Sequence, residues 1–414
     1  MFVSRLYSRG RRFCFGGTMY LVNQFGRVRE IADGEFAQKM INQGRMRLAR
    51  QDEIDQHLQG RKRQIADKAK AKGTGIYYST VKRSPDGYGM SRDLLKNELF
   101  AQGIYLSENF SGQKVGLLYN YPYGIKQMRN DVRLIFTMFE SDQIPEEWPE
   151  YLKLAQEVIV PSTWCQKVFA KSGIKSTVVP LGYNSDVFTY YDRPVPVEND
   201  GIFTFIHYDS FNIRKGFMEI VEAFSQEFDH KEPVRLILKT IRDSSPIPII
   251  KSEYPNIEVV RGSLSEVDLW KLLGRANCMV YPSRGEGFGI TPLEAMATGL
   301  PAIIPNAHGM SEYFNPEFML EVKVGHTEPG LYNRFKGQNV GDMTVVDVED
   351  LRRQMRYAYS NQRAMKLLGR NASEYVKKFT YKKTAERMAA ILNKWEQAHI
   401  QKRPESKFLD VEVF

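Results

Sequence analysis

The feature that most constrains the fold of this chain is an alternation of strand-like and helix-like stretches that occurs twice, with a break between. From Gly75, short apolar runs ("GIYYSTV", "KVGLLYNY", "DVRLIFTMF", "EVIVPS", "STVVPLG") alternate with helical stretches such as "TWCQKVFAKSG". Residues 189–201, "TYYDRPVPVENDG", are polar and proline-containing, as a linker between domains is. The alternation then resumes with "IFTFIHY", "FMEIVEAFSQEF", "VRLILKT", "IEVVRG", "EVDLWKLLGRA", "CMVYPS", "TPLEAMATG" and "PAIIP". Strands alternating with helices build parallel sheets covered on both faces. The pattern predicts two facing α/β domains with a cleft between them, over residues 74–190 and 191–375. Residues 376–414 read as a C-terminal helix returning to the first domain, followed by a tail.

Residues 1–73 are a small appended module. "MYLVNQFGRVREI" reads as two short strands joined near Asn23–Gly26, and "DGEFAQKMINQG" as a capped helix. "QDEIDQHLQGRKRQIADKAKAKG" is a charged helix or linker. The module is basic: residues 1–72 hold 16 Lys+Arg against 7 Asp+Glu, while the other 342 residues hold 42 of each sign. The whole excess of +9 therefore sits in this block, which would attract a polyanion if it is more than a solvated arm. Three widely separated cysteines, Cys14, Cys165 and Cys278, form no disulfide framework and imply a reducing, cytoplasmic setting. No apolar run is long enough to span a bilayer, and "GRRFCFGG" lacks the apolar stretch of a secretory signal. Met19 is an alternative start, with residues 1–18 as an upstream extension.

Chemistry is concentrated in Tyr281–Ile304, "YPSRGEGFGITPLEAMATGLPAII". "CMVYPS" is a strand, "RGEGFG" the loop after it and "ITPLEAMATG" a helix, with Thr291 as N-cap, Pro292 in the first turn and Gly299 at the end. In open α/β sheets ligands bind at the carboxyl ends of strands. The loop glycines let backbone approach a ligand, and the helix start offers free N–H groups to an anion. Glu286 and Glu294 add two carboxylates, which suit hydroxyl groups rather than phosphate. A ligand with both phosphate and many hydroxyls is a nucleotide sugar. A competing reading makes Thr291 and Glu294 a capping box with no ligand.

These residues resemble the signature of the large retaining glycosyltransferase family usually numbered four, the glycosyl transferases group 1. Its fold is GT-B, two facing Rossmann-like domains around a cleft. Glu286, Gly287, Phe288, Gly289, Glu294, Ala295, Met296, Gly299 and Pro301 all match its E-x7-E pattern and flanks. "RKGFMEIVEAF", "MFESDQIPEEW", "VIVPSTWCQKVF", "VVPLGYNSDVF" and "GYGM" are similar to further family segments, so the likeness covers roughly residues 75–395. The resemblance implies that Glu286 holds donor sugar hydroxyls, beside the backbone of Gly287, Phe288, Gly289, Ile290 and Thr291. It implies that Glu294 contacts the ribose, that Lys215 neutralises the leaving diphosphate, with Arg214 either joining it in donor binding or pointing to solvent, and that Gly87 and Gly89 give the diphosphate room. Glu140 lies where the family often places a polar or acidic group facing the reacting carbon; a capping or surface role competes. Glu312 matches a family glutamate beside the donor. One position departs: where many members have an arginine sharing the diphosphate, this chain has Asp209. His207 and His308 sit near strand ends, and packing is expected of both ahead of catalysis.

The implied reaction moves a sugar from a nucleoside-diphosphate sugar to an acceptor hydroxyl with retained anomeric configuration. The nucleotide sugar is a co-substrate, and neither a bound cofactor nor a metal is expected. The basic module suggests a polyanionic acceptor, either DNA with hydroxymethylated bases or a glycolipid in an anionic membrane, the latter with peripheral membrane association. The alternative is a non-catalytic carbohydrate- or nucleic-acid-binding protein on the same fold.

Overall fold

The structure is a computed structural model of the 414-residue chain. It describes residues 14–15, 18–23, 28–31, 41, 46–48 and 56, and then 76–80, 87–198, 201–241, 254–330, 332, 335 and 338–401. The chain divides into two units, Met1–Thr74 and Gly75–Phe414.

In the first unit, β1 (Cys14–Phe15), β2 (Thr18–Asn23), β3 (Val28–Ile31) and β4 (Met46–Leu48) form an antiparallel sheet, with β2 paired to the other three. The strand pair expected around Asn23–Gly26 is β2 and β3. The helices expected before Gly44 and Gly73 lie outside the described residues, apart from Ile41 and Gln56, which are helical.

The second unit contains two six-stranded, fully parallel sheets. The first holds β5 (Ile76–Thr80), β6 (Leu106–Ser107), β7 (Val115–Tyr119), β8 (Val132–Phe136), β9 (Glu157–Val160) and β10 (Thr177–Val178), in the order β10-β9-β8-β7-β5-β6. Helix α1 (Gly87–Ala101) follows β5, α2 (Trp148–Leu152) lies between β8 and β9, and α3 (Thr163–Lys171) follows β9. The second sheet holds β11 (Phe203–Tyr208), β12 (Val234–Thr240), β13 (Ile257–Arg261), β14 (Cys278–Val280), β15 (Ala302–Ile304) and β16 (Leu320–Glu321), in the order β13-β12-β11-β14-β15-β16. Its helices are α4 (Phe217–Glu227), α5 (Glu266–Leu273) and α6 (Ile290–Ala297). Every residue of β7, β11, β14 and β15 is buried, which is why these strands read as continuous apolar runs rather than alternating ones. In each sheet the strand order reverses at a crevice, β5/β7 in the first and β11/β14 in the second, and such switch points are where ligands bind.

Two features depart from the simple picture. The segment at 189–198 is no solvated linker at its centre. Arg193 is buried, and its guanidinium donates to Ala276 O at 2.9 Å, Leu273 O at 3.1 Å, Thr298 Oγ1 at 2.8 Å and Thr298 O. It thus takes carbonyls at the C-terminal ends of α5 and α6, where the helix dipoles favour a cation. Burial lowers its pKa to about 10. The second departure is an antiparallel arm, β17 (Val324–Pro329) paired with β18 (Asp342–Val346), which leaves the second domain after β16. Beyond it α7 (Val348–Ser360), α8 (Gln362–Tyr375) and α9 (Tyr381–Gln401) end the described chain. Helix α9 packs on α1 of the first domain through buried Ala385, Met388 and Leu392, and Thr380 bridges to Tyr183.

Candidate active site

The loop after β14 and the loop after β11 flank the switch point of the second sheet. Between them they assemble a buried cluster of charge. The carboxylate oxygen Oε1 of Glu286 accepts from Lys215 Nζ at 2.6 Å and Ser283 Oγ at 2.6 Å, with Tyr281 Oη 3.0 Å and Arg214 Nη1 3.2 Å away. Lys215 Nζ is also 2.8 Å from Asp209 Oδ2, which accepts from Tyr281 Oη at 2.7 Å. Two cations and two carboxylates therefore share one pocket. Burial alone would raise both acids, but Lys215 outweighs it. Asp209 is held down to about 2, and Glu286, with Arg214 adding to the effect, also falls below the usual carboxylate value. Lys215 is only 7% exposed, so it is no surface lysine. Arg214 donates to Gly285 O and faces the cluster rather than solvent.

Helix α6 does not begin as expected. Its N-cap is Gly289 in the left-handed region (φ 83°), with no side-chain cap, and Thr291 sits inside the first turn. A residue with φ > 0 cannot present the extended backbone that a threonine cap needs. The capping box therefore does not form. Glu294 Oε2 instead lies 2.9 Å from Tyr208 Oη, which is also 2.8 Å from Thr291 O. One phenol proton cannot serve two acceptors, so one contact requires a proton on Glu294. Burial, partly offset by the Tyr208 bond, raises Glu294 to about 8, which supplies that proton at neutral pH.

The loop touches the first domain directly. A side chain at Gly285 would place its Cβ 2.1 Å from Glu140 O, so only glycine fits. Ser162 Oγ, which caps α3, donates to Gly287 O at 2.8 Å. Glu140 is not a surface or capping residue. Its Oε2 is buried with no hydrogen-bond partner, and burial raises its pKa against the opposing pull of Arg214.

The other expected residues divide. Gly87 and Gly89 lie in the first turn of α1, after β5 at the first sheet's switch point. The ring of Phe288 is buried against Tyr313 and Phe379, so Phe288 can meet a ligand only through its backbone. Gly287, Ile290 and Thr291 follow the same loop into α6. Glu312 is turned toward the first domain instead, where its Oε2 accepts from Thr163 N and Thr163 Oγ1, both at 2.8 Å, at the start of α3. His207 packs as expected, with Nδ1 2.9 Å from Val280 O and its ring between Phe217 and Tyr281. Burial lowers it to about 4. Tyr281 and Ser283, which hold Glu286, escaped the sequence reading although both stand in the quoted motif. Tyr208 escaped it too, because only the fold brings β11 beside α6. Among the described residues, no group of three or more His, Cys, Asp or Glu could hold a metal ion, and no helix is long and apolar enough to cross a membrane.

Residues 192–324 match the family model described as Glycosyl transferases group 1. Over 193 residues the chain is 30% identical to ORF313 of Acidianus filamentous virus 1, a protein named as a glycosyltransferase. That match covers 46% of this chain and 58% of the relative, so less than two thirds of the relative is represented. Sucrose-phosphate synthase from Thermosynechococcus elongatus superposes with a TM-score of 0.61 at 17% identity, over 78% of this chain and 100% of that one. Anabaena HepE, solved in complex with UDP-glucose, gives 0.58 at 13% identity, over 77% and 99%. The shared architecture is GT-B, two Rossmann-like domains built on parallel sheets.

Proposed function

We propose that this chain, whose residues 192–324 belong to the glycosyl transferases group 1, moves a sugar from a nucleoside-diphosphate sugar to an acceptor hydroxyl with retention of configuration. The observation that carries this reading is the buried Glu286 carboxylate held by Lys215 and Arg214 at the β11/β14 switch point, opposite Glu140. Lys215 and Arg214 can take up the charge that develops on a departing diphosphate, released from Glu286 as that carboxylate turns to sugar hydroxyls. The backbone at Gly287–Thr291 and the α6 start add N–H donors, and the first turn of α1, with Gly89, does the same from the first domain. Glu294 faces the ribose. HepE was solved with UDP-glucose, which makes UDP-glucose the first donor to try.

Glu140 bears on the choice between retaining routes. Burial disfavours its charged form, and so disfavours it as the nucleophile of a glycosyl-enzyme intermediate. Front-face attack remains, with a donor phosphate oxygen taking the acceptor proton and Glu140 placed to hydrogen-bond the reacting groups. The acceptor is a polyanion on this reading, because the net charge of the chain resides in residues 1–72.

The test is nucleoside-diphosphate release from a panel of nucleotide sugars, beside Glu286→Gln, with duplex DNA or anionic lipid vesicles as acceptor. Release with one donor, reduced at least about 100-fold in the variant, is expected. No release, together with no donor-induced rise in Tm, would instead make the chain a binding protein on this fold.

A further inference from the structure

His308 begins the short helical turn His308–Glu312 after β15; like His207 it is buried with one ring nitrogen unpaired, but its backbone and its place in the fold differ. It is the one non-glycine residue with positive φ (50°) among the described residues. A left-handed backbone at such a side chain costs about 1–3 kcal/mol and persists only where its surroundings impose it. Here they do. Gly309 N–H donates to Glu286 O at 2.8 Å, which locks the turn onto the Glu286 loop, and Ser311 Oγ donates to His308 O at 2.7 Å. The imidazole is thereby fixed at the domain junction. It is 5% exposed, edge-on to Trp164 of α3, with Nε2 3.1 Å from Thr344 Oγ1 on β18.

Its other nitrogen, Nδ1, is buried with no partner. A buried polar atom left unpaired costs about 1–3 kcal/mol. The charges that reach the ring are those of Glu286, Arg214 and Asp142, and burial keeps it neutral, at about 4. Glu140 Oε2, also unpaired, sits within reach of the same Glu286 and Arg214 but comes from the other domain. Two unpaired polar atoms, one from each domain, thus share one pair of charged neighbours.

We propose that His308 contacts the substrate, its Nδ1 hydrogen-bonding one hydroxyl of the donor sugar and so selecting among sugars. The inference rests on the glycosyltransferase reading and deepens it. Thr344 can give or take the hydrogen bond at Nε2, which leaves Nδ1 as donor or acceptor respectively. A sugar hydroxyl satisfies either tautomer, whereas a phosphate oxygen satisfies only one. A neutral ring beside Arg214 also adds no repulsion.

The experiment is equilibrium binding of the tightest nucleotide sugar of the panel, UDP-glucose first, and of each of its monodeoxy analogues, to wild type and His308→Gly. Glycine keeps the left-handed backbone and removes the ring. Wild type should lose about five- to tenfold in affinity for one analogue. His308→Gly should bind that analogue and the parent sugar alike, at the weak level, while keeping wild-type discrimination at the other hydroxyls. An unchanged discrimination profile, or an equal loss for every analogue, would overturn the proposal and leave His308 a packing residue. If the glycine variant does not fold, His308→Asn, which tolerates this backbone, is read by the same criterion. Wild type binding no nucleotide sugar would overturn the function proposed above, and this inference with it.

Discussion

At the scale of single residues, the site is governed by which carboxyls are charged. Glu286 and Asp209 are held ionised by Lys215, whereas Glu294 is kept neutral by burial. Glu294 thereby makes stability depend on pH in a definite direction. Its pKa is raised from 4.5 to about 8, so the folded state binds a proton that the unfolded state has lost. The stability that belongs to this neutral carboxyl is full below the unfolded value and is lost as pH rises through about 8. Glu294→Gln, which cannot ionise, should keep its Tm where wild type declines between pH 5 and pH 9, with the two curves parting progressively from about pH 5 upward. Parallel melting curves across that range would mean that Glu294 ionises freely. Glu286 and Glu294 were legible as a pair because the eight-residue spacing across a glycine loop is distinctive. Their different charge states were not, since Lys215 and Tyr208 reach them from β11 and its loop, more than 70 residues earlier in the chain.

At the scale of elements, the alternating strands and helices were readable because a strand buried on both faces must be an unbroken apolar run. The β17–β18 arm was not readable, because β17 is exposed along its whole length and carries polar residues. Its anchorage is visible only in three dimensions. Val340 O accepts from Ser141 Oγ, and Asp342 N donates to Asp142 Oδ1 at 2.7 Å, while Asp142 N donates back to Asp342 O at 3.1 Å. The ring of Phe335 enters the first domain's aromatic cluster, 5.7 Å from Phe139 and 6.4 Å from Trp148. At the base, Thr344 N donates to Arg284 O, two residues before Glu286. The arm therefore ties the segment after Glu140 to the loop that bears Glu286. Phe335→Ala should cost about 3 kcal/mol, as for other large buried rings, measured as a shift in urea midpoint. A cost below about 0.5 kcal/mol would mean that the arm tip is only surface decoration.

At the scale of the whole molecule, the two parts of the chain differ in charge. Every side chain assembled at the candidate site, from Glu140 to His308, belongs to the unit Gly75–Phe414, in which 42 basic and 42 acidic residues balance, whereas residues 1–72 carry the net +9. A unit without net charge gains little from long-range attraction to a polyanion, since screening confines its field to about 10 Å. A block of 16 basic residues does gain, through the counterions a polyanion releases when it is neutralised. Removal of residues 1–72 should therefore separate two quantities that the intact chain combines. Donor binding, set by Lys215, Arg214, Glu286 and Glu294, should be unchanged. Acceptor binding should weaken, and its dependence on log salt concentration, which falls by about 0.9 per phosphate neutralised on duplex DNA, should flatten toward zero. Titrations of duplex DNA and of anionic vesicles at several salt concentrations, on both proteins, decide the matter. A salt slope that survives the deletion would place the acceptor-binding charge within Gly75–Phe414 and leave the basic block without a part in the reaction.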